Sequence, residues 1–562
     1  MLWNELLFKF FYDNKKLIIP YIIITLIIFP IESITLPKLY SRFFESVKSS
    51  NLPDIFTNIS HNIFKLSSTG LIWIIIFLWL ILIILKFINN NYDGNITASY
   101  LSYIREKIFS NTINTFSTNY TDLNGGKYIT RLLDLSRYLR DIFTNILTDI
   151  FPLIIAIFTV IVYFLYTDFK IGLIMIVGIT LSSIIAFFMG KKCINDAAER
   201  EKYYFSMIGK ISDSFENIMH IYLNNEESKE IDKNNKLNDY NSQLQSKQLI
   251  YTQKIATIIT IISTITFFSI IIFNYSRLSN GIIKPSYFVS VFVILLYYFS
   301  YLLKFSNHLP WNFVKIGVIK SSEDIIKYIF SSNSNNIDSS FVIRNGDIQF
   351  KNISFKYPKT NSYILKDINL DIKGKDKICL VGPSGAGKST LVKLLLRMNF
   401  YDQGDIFIDK KNIKNIPITY LRDKIIYLNQ RTSLFNTSIF NNILYGNPDL
   451  SKKEISDIIN KYDITNFNTL KNGLEENSGV NGANLSLGMQ KITIILRGIF
   501  KKEASIIIFD EPLAGLDANT RSKVIKIIEN ECKNKTIIII THDKEILPFC
   551  SKVINIKDLK NK

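Results

Sequence analysis

The most nearly continuous apolar stretch of the chain, Leu71 to Ile88, sets the first limit on its fold. It reads LIWIIIFLWLILIILKFI and carries a single charged residue, Lys86. In a helix, about 20 apolar residues span the hydrocarbon core of a bilayer. We therefore predict a transmembrane helix here, and with it a membrane protein.

Five further apolar stretches lie before residue 320, and the rest of the chain is more polar. They run from Leu17 to Pro37, Phe151 to Tyr166, Ile171 to Gly190, Ile255 to Phe273 and Tyr287 to Leu303. No small-residue cleavage site follows the first of them, so we do not expect a removable signal peptide. The pattern predicts an all-α domain of six membrane-spanning helices, residues 1–325, ahead of a soluble domain.

The connections between these stretches predict the orientation of the chain. The second, about residues 89–150, and the fourth, about residues 191–254, are long and rich in Lys and Arg. Because basic residues accumulate in cytoplasmic loops, we expect both connections and the N-terminus in the cytosol. Their helical spacing predicts spans that continue as helices beyond the membrane and turn at polar breaks near 120–127 and 221–227. The net charge of +18 fits this distribution, which we favour over nucleic-acid binding.

A change in composition marks the end of the membrane part. Ser331 to Ser340, SSNSNNIDSS, has almost no apolar content and predicts a linker, which we place at residues 326–344. Strand-like runs and then alternating strand and helix patterns follow. They predict an α/β domain over residues 345–562.

The cysteines give no sign of a metal site. Their spacing fits no metal-ligand pattern, and on this layout we expect all of them to be reduced thiols facing the cytosol. They are Cys193, Cys379, Cys532 and Cys550.

A glycine-rich turn lies between a short apolar run and a periodic apolar helix, at CLVGPSGAGKSTLVKLLL. This order of strand, loop and helix is the setting of a phosphate-binding loop, and the sequence matches G-x-x-x-x-G-K-[ST]. Glycines let backbone N–H groups point at phosphate oxygens. Lys388 would neutralise the negative charge of the β- and γ-phosphates, and the Ser389 hydroxyl would hold Mg²⁺. A turn that binds nothing is the alternative, but it leaves the flanking strand and helix unexplained. The predicted nucleotide-binding residues are Gly382, Pro383, Ser384, Gly385, Ala386, Gly387, Lys388, Ser389 and Thr390.

Two carboxylates follow a second apolar strand, at IIIFDEP. Asp510 and Glu511 would stand at the sheet edge where ligands bind in open α/β folds. Asp510 is suited to bind Mg²⁺ directly or through the second coordination shell of the ion. Glu511 is suited to act as the general base that polarises the attacking water. His542 ends a third such strand, in TIIIITHD, and is a candidate contact for the γ-phosphate, although a lone His is usually structural.

These motifs together resemble the ATP-binding cassette (ABC) transporters, specifically exporter-type half-transporters with six membrane helices before one nucleotide-binding domain. The resemblance covers nearly the whole chain. Tyr357 is similar to the aromatic residue that stacks on adenine, and Gln430 to the glutamine that contacts Mg²⁺. Asp517 resembles the aspartate that links two ATP sites, and Thr541 to Asp543 resemble the histidine switch. The resemblance implies an ABC ATPase domain that uses ATP and Mg²⁺.

The signature motif departs from the family's L-S-G-G-Q, because the chain reads Leu485, Ser486, Leu487, Gly488, Met489. The resemblance implies that Ser486 and Gly488 reach the γ-phosphate of ATP held by an opposite subunit. Leu487 adds a Cβ where glycine allows close approach, and Met489 has no amide for a ribose hydrogen bond. Two interpretations stay open: a naturally weak ATP site, or an opposing surface adapted to these side chains.

The resemblance implies an ATP-driven exporter that works as a dimer, since a closed ATP site needs the phosphate loop of one chain and the signature of another. We favour a homodimer over a heterodimer in which this chain is the catalytically weaker half. An ATP-gated channel is the alternative from another class, whereas the six spans argue against a soluble cassette ATPase acting on nucleic acid. Lipid, peptide, drug and metal conjugate all stay open as substrates.

Two features of the spans are candidates for a substrate path. Glu32 lies in the first span, and ionisable groups inside membranes are often functional, although this one could lie near the outer interface instead. Three tyrosines in the last span form either an aromatic substrate wall or ordinary packing: Tyr297, Tyr298 and Tyr301.

Overall fold

A computed structural model describes most of the chain, and its described residues fall into two compact units, one that contains residues 2–115 and 125–330 and one that contains residue 116 and residues 341–559. The described residues are 2–50, 68–116, 125–330, 341–357, 360, 362–430, 433–464, 467 and 470–559. Residues 331–340 of the predicted linker 326–344 and most of the predicted break near 120–127 lie outside them, and residues 326–330 of that linker belong to a helix.

All regular secondary structure in the described part of the first unit is helical. Two π-helical turns, Ile31–Thr35 and Asn145–Ile150, join α2 to α3 and α5 to α6. The helices are α1 (Leu2–Asp13), α2 (Lys15–Pro30), α3 (Leu36–Ser50), α4 (Ser68–Phe116), α5 (Gly125–Thr144), α6 (Phe151–Thr167), α7 (Phe169–Glu216), α8 (Ile218–Leu223), α9 (Glu227–Ser279), α10 (Pro285–Ser321) and α11 (Glu323–Phe330).

Within the described residues, six helical segments are long and apolar enough to cross a membrane, as the sequence predicts. Each contains one of the predicted apolar stretches. The expected continuation beyond the apolar part is also confirmed, since α4, α7 and α9 are each far longer than the roughly 20 residues that a bilayer needs. The break predicted near 221–227 contains the end of α8 and a short turn before α9.

The helices α7, α9 and α10 pack closely because small residues face their neighbours. A Cβ added to Gly178 would lie 2.3 Å from the Thr266 hydroxyl, and one on Gly317 would lie 2.4 Å from the Ile194 carbonyl oxygen. Tyr298 and Tyr301 are buried in the apolar core of this unit, which favours the packing interpretation for these two. Glu32 lies in the first π-helical turn and pairs with Lys86 at 2.9 Å. Its place in a substrate path stays a prediction.

The second unit contains two sheets and the α/β pattern that the sequence predicts. An antiparallel sheet has the order β2-β1-β4-β5, and a parallel sheet has the order β6-β7-β8-β3-β9. The strands are β1 (Ile348–Phe355), β2 (Leu365–Ile372), β3 (Lys377–Val381), β4 (Gln403–Ile408), β5 (Lys411–Asn412), β6 (Ile425–Leu428), β7 (Ile506–Asp510), β8 (Thr536–Ile540) and β9 (Lys552–Asn555). The helices are α12 (Lys388–Leu395), α13 (Ile418–Lys424), α14 (Ile439–Leu444), α15 (Lys452–Lys461), α16 (Leu487–Ile499) and α17 (Ala518–Glu531).

The parallel sheet brings the predicted chemistry to one edge. Its central strands are apolar and almost fully buried, which is typical of strands covered on both faces. Ile540 of β8 pairs with Asp510 of β7 on one side and with Leu380 of β3 on the other. Because these strands run in parallel, the phosphate loop, the two carboxylates and His542 all follow carboxyl ends of neighbouring strands.

The prediction of four free thiols is wrong for two of the cysteines. Cys379 in β3 and Cys550, just before β9, form a disulfide with their Cα atoms 5.7 Å apart. The reason is topological, since β9 pairs with β3 and thereby places these distant parts of the chain side by side. Cys193 and Cys532 are buried free thiols, as expected.

Candidate active site

A cavity of about 390 Å³ lies at the carboxyl edge of the parallel sheet. Most of the nucleotide-binding and catalytic residues predicted from the sequence line it. They are Tyr357, Ser384, Gly385, Ala386, Gly387, Lys388, Ser389, Thr390, Gln430, Asp510, Glu511 and His542. The carbonyl oxygens of Gly382 and Pro383 accept hydrogen bonds from Lys388, which lines the cavity. Three other predicted residues are not among the lining residues: Ser486, Gly488 and Asp517.

The phosphate loop takes the conformation that its glycines allow. Gly385 and Gly387 have φ angles of +76° and +100°, in the region that residues with a Cβ rarely adopt. Gly387 is the residue before α12, so the backbone N–H groups of the loop lie at a helix N-terminus. This arrangement suits an anion with several oxygens, such as a phosphate chain.

Lys388 is held inside this loop. Its ammonium group donates hydrogen bonds to the carbonyl oxygens of Gly382, at 2.6 Å, and Pro383, at 3.1 Å, and lies 3.1 Å from His542 Nε2. The side chain is buried. Burial lowers the pKa of Lys388, and the nearby carboxylates of Glu511 and Asp510 partly oppose that shift.

Asp510 is the centre of a small group of oxygen atoms. Its Oδ2 accepts hydrogen bonds from the Ser389 hydroxyl, at 2.8 Å, and from the Tyr427 hydroxyl, at 2.7 Å. Hydroxyl and carboxylate oxygens are the ligands that Mg²⁺ prefers, so Ser389 and Asp510 fit the predicted metal. Sequence reasoning missed Tyr427, whose only signal is its position at the end of β6, the neighbour of the strand that carries Asp510.

Glu511 adopts a φ angle of +51°, which is unusual for a residue with a side chain. The Glu511 N–H donates a hydrogen bond to the Ile540 carbonyl oxygen at 2.8 Å, and the Thr541 hydroxyl lies 3.5 Å from Glu511 Oε2. His542 Nε2 lies 3.9 Å from Oε1. These contacts fix the carboxylate at the cavity wall, and backbone strain of this kind occurs at functional sites.

Lys491 is a second residue that the sequence reasoning missed. It projects from α16 and donates a hydrogen bond to the Glu511 carbonyl oxygen at 3.2 Å. Burial lowers the pKa of Lys491, against the attraction of Asp510 and Glu511. The position directly after Gln490 in an apolar helix gave no signal of this contact.

Tyr357 and Gln430 lie at the rim of the cavity. The Tyr357 hydroxyl is 3.3 Å from the Thr390 hydroxyl, and its ring packs edge to face on Phe355. Gln430 is exposed and follows β6. Both line the cavity, and the adenine and Mg²⁺ contacts that the family resemblance implies for them stay predictions.

The signature residues form the start of α16. Ser486 is the residue before the helix, and its hydroxyl accepts a hydrogen bond from the Met489 N–H at 3.3 Å. Leu487 is 52% exposed, whereas Met489 is only 6% exposed and packs in the apolar core. The Met489 side chain therefore faces the core of its own domain, and the effect of the missing amide on a ribose contact stays a prediction.

Asp517 caps α17. Its side chain accepts hydrogen bonds from the Thr520 N–H, at 3.0 Å, and hydroxyl, at 2.7 Å. These bonds lower the pKa of Asp517. Its predicted role in linking two ATP sites stays a prediction.

Comparison with known proteins agrees with this architecture. Residues 365–514 match the family described as ABC transporter, and residues 19–303 match the ABC transporter transmembrane region. An export ATP-binding/permease protein of Rickettsia typhi is 28% identical over 83% of this chain and 82% of its own length. An ATP-dependent lipid A-core flippase of Wigglesworthia glossinidia brevipalpis is 39% identical, but over only 35% of this chain and 34% of its own length.

A solved structure has the same fold. It is a bacterial Atm1-family ABC exporter with ATP bound, which superimposes with a TM-score of 0.78 at 18% identity and covers 96% of this chain and 93% of its own. The two family matches together cover more than half of the chain. The chain therefore belongs to the ABC transporters, as a multi-pass membrane protein that carries its own ATP-hydrolysing domain.

Proposed function

We propose that this chain exports a substrate across a membrane as a dimer of half-transporters, driven by Mg²⁺-dependent hydrolysis of ATP. The observation that carries this proposal is the cavity at the sheet edge. It gathers an anion-binding loop, a metal-compatible pair of oxygens and a carboxylate suited to activate water. A nucleotide-binding module without catalysis would need no such carboxylate.

Each residue of the cavity has a distinct task. The loop N–H groups and Lys388 bind and orient the phosphates of ATP. Ser389, Asp510 and Gln430 would hold Mg²⁺, which offsets the phosphate charge during transfer. Glu511 accepts a hydrogen bond from the attacking water and polarises it. His542, which lies beside both Lys388 and Glu511, contacts the γ-phosphate.

A second chain supplies what this cavity lacks. Ser486 and Gly488 stand at the N-terminus of α16 but do not line the cavity of their own chain. The N–H groups of a helix N-terminus favour an anion, so these residues would contact ATP bound by an opposite subunit. We propose a homodimer, with the nucleotide-binding domains and the N-terminus in the cytosol. The exposed Leu487 supports a heterodimer as the second candidate.

Glu511→Gln tests the hydrolytic part of the proposal. The amide cannot take up a proton from water, so ATP turnover in lipid vesicles should fall by about 10²- to 10⁴-fold, while ATP binding persists through Lys388 and the loop. The matched control is Glu545→Gln, an exposed acid in the segment after His542. Normal turnover by the Glu511 variant would overturn the assignment of the base.

Transport itself needs a separate measurement. Vesicles that contain the protein are supplied with ATP and a panel of lipids, peptides, drugs and metal conjugates, and ATPase stimulation selects the substrate. Accumulation of that substrate against its gradient supports export. Equilibration without accumulation would instead identify an ATP-gated channel.

A further inference from the structure

A polar pocket of about 620 Å³ lies between α7 and α9 of the helical unit. The two helices run antiparallel here. Cys193 Sγ of α7 lies 3.8 Å from the Thr252 hydroxyl of α9, and farther along the Tyr203 hydroxyl donates to the Leu237 carbonyl at 3.2 Å. We call this the α7–α9 basic pocket, defined by Lys192, Asp196, Lys247, Tyr251 and Lys254 together with neighbouring serine and glutamine side chains.

The charge of the pocket favours an anion. Three lysines and one aspartate line it, which gives a net charge of three minus one, or +2. All three lysines are exposed, and none forms an ion pair with another residue in the described part of the chain. Lys192 lies 4.9 Å from the centre of the Tyr251 ring, a cation–π contact that holds its ammonium group over the pocket.

The pocket lies where the apolar parts of two membrane-spanning helices end. In α7 the apolar stretch ends at Gly190, two residues before Lys192. In α9 the apolar stretch begins at Ile255, directly after Lys254. Lys192 and Lys254 therefore stand at the boundary between hydrocarbon and water, at the depth of lipid headgroups, and Lys247 lies about two helical turns farther to the polar side.

An exposed apolar stripe continues from the pocket along each helix. The residues of each stripe are spaced by three, four or seven positions, so they share one helix face with a pocket lysine. On α7 the stripe that includes Lys192 continues through Phe188, Ile184, Leu181 and Val177. On α9 the stripe that includes Lys254 continues through Ile261, Ile265, Phe268 and Ile272.

We propose that the α7–α9 basic pocket binds the phosphate of an anionic phospholipid, whose acyl chains lie along these two stripes. A soluble anion would use the lysines alone and would leave the adjoining apolar surface unexplained. A lipid uses both, because its charged headgroup and its chains meet at this depth. The proposal rests on membrane insertion and not on ATP-driven export.

The test measures lipid binding by the full-length protein without ATP. Native mass spectrometry of the detergent-purified protein, titrated with phosphatidylglycerol, gives the dissociation constant of each bound lipid, with phosphatidylcholine for comparison. The triple variant K192Q/K247Q/K254Q should raise the dissociation constant of the tightest phosphatidylglycerol site by about tenfold or more. Phosphatidylcholine binding should not change.

Two matched variants make the test specific. K191Q/K202Q/K210Q removes three exposed lysines of α7 that do not line the pocket, and should leave the dissociation constant within about twofold of the parent. Asp196→Asn should have the opposite effect and tighten binding a few-fold, because it removes the one negative charge. A misfolded variant would not bind lipid more tightly.

Three results would overturn the proposal. The first is an unchanged dissociation constant in the pocket variant, and the second is an equal loss in the control variant, which would indicate general surface charge. The third is displacement of the lipid by millimolar inorganic phosphate, which would identify a soluble-anion site. The lipid-binding measurement uses no ATP, so its outcome does not depend on whether the protein exports a substrate. A failure of lipid binding would likewise leave the proposed export unaffected.

Discussion

Lys388 is the residue on which nucleotide binding depends most directly, because its buried ammonium group lies within the loop that would surround the phosphates. Lys388→Ala should weaken ATP binding by about 1.5–3 kcal/mol, roughly 10- to 150-fold in Kd, since it removes one charged hydrogen bond to phosphate. Equilibrium binding of ATP to the purified protein measures this loss.

The control for this variant lies on the same helix. Lys393→Ala, in the last turn of α12, removes an equal charge outside the cavity and should leave Kd nearly unchanged. Equal affinity in the parent and the Lys388 variant would mean that the loop N–H groups alone hold the nucleotide.

Residues were predictable where a motif fixes their local geometry. The glycines and Lys388 follow from one short pattern, because the turn, the helix N-terminus and the lysine are neighbours in sequence. Tyr427 and Lys491 were not predictable, since each reaches the site from an element far away in the sequence. No local pattern marks a tyrosine that will face an aspartate on the next strand.

At the scale of elements, the start of α16 decides how its unusual signature should be interpreted. The sequence suggests that Leu487 and Met489 are equivalent departures. The structure separates them, because the helix turns Leu487 outward and Met489 into the core. Leu487 lies close to Gly515, where an added Cβ would come within 2.4 Å of its side chain. Of these two side chains, only Leu487 is exposed at the surface of its own domain, so only Leu487 could contact the second subunit that we propose.

Met489→Gln should consequently destabilise the protein instead of restoring a ribose contact. A buried amide without hydrogen-bond partners costs about 1–3 kcal/mol. Thermal unfolding of the purified protein measures the loss, and Met489→Leu, which nearly conserves volume, should change stability by less than about 1.5 kcal/mol. A Gln variant with parental stability and tighter ATP-induced closure would contradict this expectation.

The membrane helices were predictable in number but only partly in form. Continuous apolar stretches give each span, because a bilayer demands about 20 apolar residues in a helix. The π-helical turn around Glu32 was not predictable, since a single extra residue in a turn leaves no periodic signal. This turn contains Glu32, whose carboxylate pairs with Lys86 of α4.

At the scale of the whole molecule, the sequence indicates the two kinds of structure but not which distant segments become neighbours. Apolar composition separates the helical unit from the α/β unit. The order of parallel strands is not local information, and it decides that β9 lies beside β3. The disulfide between Cys379 and Cys550 depends on that pairing, which is why spacing alone predicted free thiols.

The disulfide gives a prediction for the stability of the ATP-binding unit. It joins residues 171 positions apart and encloses the segment from the phosphate loop to His542. Breaking it should lower the free energy of unfolding by about 2–4 kcal/mol, because the unfolded chain gains conformational freedom. Thermal unfolding of the full-length protein with and without reductant measures the change, and the Cys379→Ser, Cys550→Ser double variant should unfold like the reduced parent.

Thiol counting under denaturing conditions checks the same bond independently. Alkylation without reductant should label Cys193 and Cys532, and reductant should raise the count from two to four. In the folded protein Cys532 should stay unlabelled, because burial raises the pKa of its thiol to about 12 and the thiolate is the reactive form. Cys532→Ser is the matched control, since it removes a buried thiol and should keep the full response to reductant. Four labelled thiols in the unreduced, denatured protein would show that no disulfide joins Cys379 and Cys550.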